Sequence, residues 1–117
     1  MPRFVLLSHD HPFPHWDFML EKEAALRTWR LLKSPAECPA MDAEPLPDHR
    51  LAYLDYEGPV TSNRGTVLAV DRGEYSLVAE SDDSVVVHLR GAILQGQASI
   101  RRQPESKKWT FHYEPAP

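Results

Sequence analysis

Two histidines and a carboxylate fall within nine residues near the start of the chain: His9, His15 and Asp17. Two imidazoles and one carboxylate make a facial ligand set for a divalent cation that leaves further positions open. Open positions are what metal-assisted hydrolysis needs, because water or a substrate oxygen must bind there. The segment from His15 to Glu21 alternates. Trp16, Phe18 and Leu20 fall on one face of a strand, and His15, Asp17, Met19 and Glu21 on the other. His15 and Asp17, at i and i+2, therefore project together while Trp16 and Phe18 anchor the strand in a core. His9 ends the preceding apolar run, and a turn through Pro12 and Pro14 would bring it back beside His15. Histidines also cluster by chance, and His11 stands in the same stretch. On spacing alone, a metal centre and a solvated polar face both remain open.

The elements that must position these groups read as strands. Arg3–Ser8, His15–Glu21, Thr66–Val70, Glu74–Ala79, Ser84–Leu89, Gln97–Arg102 and Trp109–Tyr113 carry short apolar or alternating patterns. Ala25–Lys33 fits strand or helix by pattern, and Thr28 and Trp29 tip it to strand. Asp71-Arg72-Gly73 and Ser81-Asp82-Asp83 read as turns, and Gly91 and Gly96 mark bends or bulges. Many short strands without a strong helix point to an all-β barrel or sandwich. The one long irregular stretch is Ser34–Asp48, acidic and holding Pro35, Pro39, Pro45 and Pro47. It reads as a proline-rich loop, either a lid over a site or a solvated connection. The tail Glu114–Pro117 is expected to fray.

Bulk properties bound the answer. The chain has 117 residues, 42% hydrophobic and 26% charged, which fits a single folded domain over 1–117. No apolar run approaches the roughly 20 residues of a membrane span, and the start lacks a signal-peptide pattern. The lone Cys38 permits no internal disulfide and reads as an inert loop thiol. A reducing cytoplasm is the expected compartment. A net charge of −4 argues against a non-specific grip on nucleic acid, but not against an enzyme that touches one phosphate at a strand end.

The segment Ser8-His9-Asp10-His11-Pro12-Phe13-Pro14-His15-Trp16-Asp17-Phe18-Met19-Leu20-Glu21 resembles the opening motif of the 3′-phosphoesterase domain family of bacterial DNA ligase D, which reads His-Asp, a short gap, then His-aromatic-Asp-Phe-Arg-Leu-Glu. The likeness continues in order through Trp29–Pro35, Asp48-His49, Tyr53, Asp55–Gly58, Gly65-Thr66-Val67, Asp71–Tyr75, Leu89–Gly91 and Leu94–Gly96. The resemblance implies a closed or nearly closed antiparallel β-barrel that trims 3′ ends of DNA with manganese, removing a terminal ribonucleoside and then a 3′-phosphate. Zinc is compatible with the same donors. By motif position, His9, His15 and Asp17 would hold the metal, and His49, Lys33 and Tyr53 would surround the scissile phosphate. Chemically, a histidine can move a proton to the leaving oxygen, a lysine can stabilise developing anionic charge, and a tyrosine hydroxyl can donate to a phosphate oxygen. The implied partners are nucleic-acid 3′ ends and DNA end-joining repair proteins, not a membrane.

The resemblance breaks in places. Met19 stands where the family carries arginine, on the strand face of His15 and Asp17, and a thioether cannot clamp a phosphate. Arg50 and Arg27 are the candidates to compensate. Met41 and Pro47 fall near an expected arginine and glutamate, and the loop Pro59–Arg64 is shorter than the family's glycine-rich one. The losses lie at the substrate end while the metal ligands remain. Two functional expectations follow. One is a stand-alone metal-dependent phosphoesterase acting on nucleic-acid 3′ ends in repair. The other is a catalytically silent, metal-bearing module that binds such ends or a repair protein.

Overall fold

Alternation decides which face of each strand turns inward, and here it produces two separate apolar clusters rather than one. The computed structural model describes residues 1–117. Its strands are β1 (Arg3–His9), β2 (His15–Lys22), β3 (Ala25–Leu31), β4 (Ala40–His49), β5 (Gly58–Pro59), β6 (Thr66–Ser81), β7 (Ser84–Gly91), β8 (Gln95–Arg102) and β9 (Trp109–Pro115), with one short 3-10 turn at Leu51–Leu54. The hydrogen-bonded order is β1-β2-β3-β4-β9-β8-β7-β6-β5, and an added β1–β6 pairing closes eight of the strands into a ring. Every pairing is antiparallel.

A ring of eight strands leaves an interior just wide enough for side chains to fill. Phe4, Leu6, Phe18, Leu20, Trp29, Leu31, Leu89, Ile100 and Phe111 fill it, all nearly or wholly inaccessible to solvent. Burial of each such side chain contributes about 1.5–3 kcal/mol against exposure. The second cluster, Val5, Leu7, Met19, Leu26, Leu54 and Val67, lies on the opposite face of β1, β2, β3 and β6. There Leu54, from the 3-10 turn, packs onto the outer wall of the barrel. Phe4, Val5, Leu6 and Leu7 are all fully buried, so β1 is sandwiched between the two clusters.

Three expectations from sequence are corrected. The proline-rich stretch is not a loop throughout, because its second half is β4. β4 pairs with β9 only over Ala40–Ala43, so Pro45 and Pro47 fall where the strand has β3 alone as neighbour. A proline that donates no hydrogen bond is tolerated on such an edge, and the register shift opposite Leu26–Thr28 marks a bulge there. Asp71-Arg72-Gly73 is not a turn but the middle of β6, which pairs with β1 over its first half and with β7 over its second. The tail does not fray until its last residues. Glu114 and Pro115 pair with β8, and the Ala116 N–H donates to the Gln95 carbonyl at 2.7 Å.

Asp71 looked like a turn residue because its carboxylate caps a turn elsewhere in the chain. Its Oδ1 accepts the N–H groups of Arg72 and Ala92 at 2.9 Å, and its Oδ2 those of Ile93 and Leu94 at 3.1 and 2.7 Å. Gly91 must be glycine for this to work, since a Cβ there would collide with Asp71 Oδ2. Replacing Asp71 by Asn turns an amide donor towards backbone donors. The expected loss is about 3 kcal/mol, read as a lower denaturant midpoint at constant slope. A change below about 0.5 kcal/mol would show that the 91–94 turn stands without the carboxylate.

Tyr75 donates its hydroxyl to the Glu21 carbonyl at 2.6 Å. Burial, then the nearby Glu21 and Glu80 carboxylates, raise its pKa above the ordinary 10.0. The folded state holds that proton more tightly than the unfolded chain. The contribution is therefore complete below the ordinary tyrosine value and is lost as pH rises through the higher folded one. In a pH series of unfolding midpoints, Tyr75→Phe should flatten the alkaline decline, and an unchanged slope would exclude this cause.

Candidate functional site

The β1–β2 hairpin assembles the first part of the site. Its register pairs His9 directly with His15 and Leu7 with Asp17. All four side chains share one face, the outer face that carries the second apolar cluster. The imidazole centroids are 4.9 Å apart. His9 Nδ1 lies 3.5 Å from Asp17 Oδ2, and His15 Nε2 lies 3.2 Å from Asp17 Oδ1. One ligand atom from each of the three residues falls within 4.8 Å of the others. His15 and Asp17 are each 2% exposed, so the carboxylate has little water to solvate it.

The outer ring nitrogens are fixed by backbone carbonyls. His9 Nε2 faces the Arg64 carbonyl at 2.7 Å, and His15 Nδ1 faces the Phe13 carbonyl at 2.9 Å. A carbonyl only accepts, so each of these nitrogens carries the proton. In the neutral rings the inner nitrogens, His9 Nδ1 and His15 Nε2, then present lone pairs towards Asp17. Asp17 Oδ1 is buried with no hydrogen-bond partner. Three electron-pair donors thus converge without a hydrogen between them, an arrangement that a cation relieves.

The spacing also fits a cation. A metal about 2.1 Å from each donor holds neighbouring donors roughly 3.0–3.4 Å apart, close to the two separations from Asp17. Backbone carbonyls on the far ring nitrogens are the usual outer support of metal-bound histidine. The donor set, two nitrogens and a carboxylate oxygen, is one that several divalent first-row metals accept.

The loop that reaches His9 is built for that contact. Arg64 folds back on Thr61, with Nε donating to its carbonyl at 3.0 Å and a terminal nitrogen to its hydroxyl at 3.1 Å. Its own carbonyl is left for His9. Gly65, at φ +79°, lets Asp10 approach so that Asp10 Oδ1 accepts the Thr66 N–H at 2.7 Å. A Cβ at position 65 would collide with that oxygen, which is why glycine stands there.

The second part of the site comes from the end of β4 and the 3-10 turn. His49, Arg50 and Tyr53 line the same groove as His9 and Asp17, an open cleft of about 720 Å³ on the outer wall of the barrel. His49 Nδ1–H donates to the Pro47 carbonyl at 2.9 Å, the pattern of His15, and Nε2 is left as the acceptor. The His49 and Tyr53 rings meet edge to face at 5.9 Å, as do those of Tyr53 and Tyr56. Three contacts hold this segment down. Leu54 packs into the second cluster, the Arg3 guanidinium grips Asp55 at 2.8 and 3.1 Å, and Arg72 Nε donates to the Leu54 carbonyl at 3.1 Å. The Arg3 guanidinium holds the Asp55 carboxyl below its ordinary range.

The groove therefore gathers six of the residues singled out from sequence: His9, Asp17, His49, Tyr53 and Arg50 in its lining, and His15 buried against Asp17, 3.2 Å from its carboxylate. It does not gather the other two. Arg27 lies on the opposite face of β3, stacked on Trp29 at 4.8 Å and paired with Glu80 at 3.1 Å, which Lys22 shares at 2.8 Å. Alternation sends it away from the face of Asp17, so it cannot stand in for the missing arginine. Lys33 is exposed in the turn after β3 and is not among the groove's lining residues. Met19 lines the floor of the groove and is 1% exposed within the second cluster, where it serves as packing.

Sequence reasoning missed Arg30, Arg64, His11 and Tyr56, all of which line the groove. A signal for Arg30 existed. Leu26, Thr28 and Arg30 alternate onto one face of β3, but only the β2–β3 register places that face beside Asp17. The groove's three arginines outnumber its two aspartates, although the chain as a whole is acidic. The global charge hid a locally cationic surface.

Comparison with known proteins identifies the family. The profile of a family described as the DNA Ligase D 3′-phosphoesterase domain matches residues 7–102. The multifunctional non-homologous end joining protein LigD of Mycobacterium bovis is 30% identical over 118 aligned residues, covering 93% of this chain and 15% of that protein. The LigD repair protein of Mycobacterium tuberculosis gives the same figures, and that of Pseudomonas aeruginosa is 34% identical over 79 residues, 63% of this chain and 9% of the relative. The chain thus spans about 15% or less of the length of the curated relatives it matches. With its eight-stranded ring and its match across most of the sequence, the chain belongs to the DNA ligase D 3′-phosphoesterase domain family.

Proposed function

We propose that this chain is a divalent-metal-dependent phosphoesterase acting on the 3′ ends of nucleic acid, in the setting of DNA end-joining repair. The observation that carries the reading is Asp17 Oδ1, buried and unpartnered between the inward-facing nitrogens of His9 and His15. Membership of a 3′-phosphoesterase family supports the reaction class, and relatives named for non-homologous end joining support the setting and an association with end-joining repair proteins.

His9, His15 and Asp17 would hold the metal, manganese or zinc. When bound, it would polarise a phosphoryl oxygen and lower the pKa of bound water. The remaining work falls to the chain's own side chains. The beam of β1 and β2 fixes the donor triad, so little reorganisation is needed on binding. Across the groove, His49 offers Nε2 for moving a proton, and its Nδ1 bond to Pro47 sets which nitrogen is free. Tyr53 offers a hydroxyl donor and Arg50 an exposed, unpaired guanidinium for phosphate oxygens. Lys33, outside the groove lining, fits contact with strand beyond the scissile phosphate better than contact with the reacting atoms.

One observation favours a second reading, in which the domain binds such ends or a repair protein without turnover. Met19, buried in apolar packing, replaces the arginine expected from the family motif. Turnover decides between the two.

The central test uses a primer–template ending in a single 3′-ribonucleotide and a second ending in a 3′-phosphate, with manganese or with chelator. Trimming with manganese, none with chelator, and a loss of about 100-fold or more in His15→Ala are expected. Folded, metal-loaded protein that binds the ends without trimming them at high concentration would leave only the silent module. Elemental analysis gives an independent check, with about one divalent ion per native chain and far less in His15→Ala. Equal, low metal in both would reject the metal centre.

The ring orientations make a further prediction. In metal-free protein at alkaline pH, two-dimensional nitrogen-proton correlation should find His9 protonated on Nε2 and His15 on Nδ1. The same tautomer in both would contradict the convergence of lone pairs on Asp17.

A further inference from the structure

We infer that Arg30 is a further anion-binding residue of the groove, beyond Arg50, and the one that grips the non-bridging oxygens of a terminal phosphate beside the His9–His15–Asp17 centre; the inference rests on the phosphoesterase reading above.

Register supplies the placement. Arg30 is the direct cross-strand partner of Asp17. Side chains of directly opposed residues leave the sheet on the same face with Cβ atoms about 5 Å apart. Arg30 therefore emerges next to the carboxylate of the triad, and it lines the groove together with His9, Asp17 and His49.

Its bonding is incomplete in a way that points to an anion. Arg30 Nε is buried and has no hydrogen-bond partner. One terminal nitrogen approaches Glu44 Oε1 at 3.5 Å, and that carboxylate is 60% exposed. This separation is well beyond the roughly 2.8 Å of a charge-assisted hydrogen bond. The guanidinium lies over the Phe13 ring, 5.3 Å from its centroid, which limits the orientations of its plane. A guanidinium presents its donors as a rigid fork that matches a phosphate or carboxylate. Here the fork is held in place, keeps its inner donor unsatisfied and stands beside a cluster suited to a cation.

The other arginines of the groove are less suited. Arg64 spends its donors on Thr61, and Arg50 is an exposed side chain with no contact that orients it. A phosphate that met the fork of Arg30 beside the triad would bring one anion to both the guanidinium and the cation centre. The ligand class is thus a phosphomonoester or the phosphate of a strand terminus.

The test compares native protein with Arg30→Lys, and with Arg27→Lys as a control on the opposite face of the same strand. The probes are inorganic phosphate and single strands of one sequence ending in either a 3′-phosphate or a 3′-hydroxyl. Arg30→Lys keeps the charge but not the fork. It should weaken binding of the 3′-phosphorylated strand by about 10- to 100-fold, while Arg27→Lys leaves it unchanged. The 3′-hydroxyl strand should be affected little, and equal weakening of both strands would place Arg30 on internal phosphates and overturn the assignment. A second readout needs no substitution: the Nε–H resonance of Arg30 in native protein should move on titration with inorganic phosphate. An unmoved resonance at saturation overturns the inference even if Arg30→Lys is unstable. The two levels separate cleanly. If native protein trims 3′ ends and Arg30→Lys binds and trims equally well, the role of Arg30 falls and the phosphoesterase reading stands. If native protein fails to trim yet Arg30→Lys loses the 3′-phosphorylated strand, the phosphoesterase reading falls and the anion site stands.

Discussion

The structure depends on a repulsion. Asp17 turns a buried carboxylate towards two imidazole nitrogens that carry no proton when the rings are neutral, at 3.2 and 3.5 Å. Leaving a buried charged acceptor unpaired costs several kcal/mol, and the cost rises in a medium less polar than water. Nothing in the three side chains themselves favours this geometry. It persists because His9 and His15 are paired in the β1–β2 ladder and because β1 is buried on both faces. The ladder fixes both Cα positions, and the backbone is held by packing inside and outside the barrel. The carbonyls of Arg64 and Phe13 then settle the ring faces. Only a cation or an added proton relieves the contact, and the fold leaves the choice between them to what is bound.

The placement of the site follows from the filled interior. Aromatic and branched residues occupy the inside of the ring, so no ligand can enter there. The candidate site uses the other face of the same strands, which a barrel would normally leave to solvent. A short covering segment makes that face a groove. One 3-10 turn and the end of β4 bring His49, Arg50 and Tyr53 over the outer wall. This cover rests on one well-buried side chain, Leu54, and on the polar grips of Arg3 and Arg72. It is much less densely anchored than the barrel. The triad thus sits on the doubly packed wall, while the groups opposite it belong to a segment with fewer buried anchors.

What was legible in sequence was what local periodicity controls. Alternation over His15–Glu21 gave both the buried face of β2 and the pairing of His15 with Asp17, because a strand settles that matter within a few residues. The Pro12–Pro14 turn returned His9 to His15 as the pattern suggested. What was not legible depended on neighbours distant in the chain. Pro45 and Pro47 read as loop because nothing nearby reveals that this part of β4 has only one partner. Asp71 read as a turn residue because its partners, the N–H groups of residues 92–94, are some twenty residues away. Arg27 and Arg30 lie three positions apart and are equally basic. Only their faces, set by the register with β2, separate a residue paired with Glu80 from one that borders Asp17.

The same register changes how a departure from the family motif should be read. A motif records residues along one strand, but a phosphate meets a surface made by several. On the outer wall, the neighbours of Asp17 include Leu7 on β1, Arg30 on β3 and, two residues along its own strand, Met19. A guanidinium delivered from β3 reaches the same patch as one delivered from β2, because strands in a sheet are only about 4.8 Å apart. Met19 then does what a buried thioether does well: it fills the floor among Val5, Leu7, Leu26 and Val67. With Arg30 the cross-strand partner of Asp17 and Met19 among the apolar residues that join β1, β2, β3 and β6, the charge and the packing come from different strands, so a methionine at position 19 costs the triad none of its rigidity.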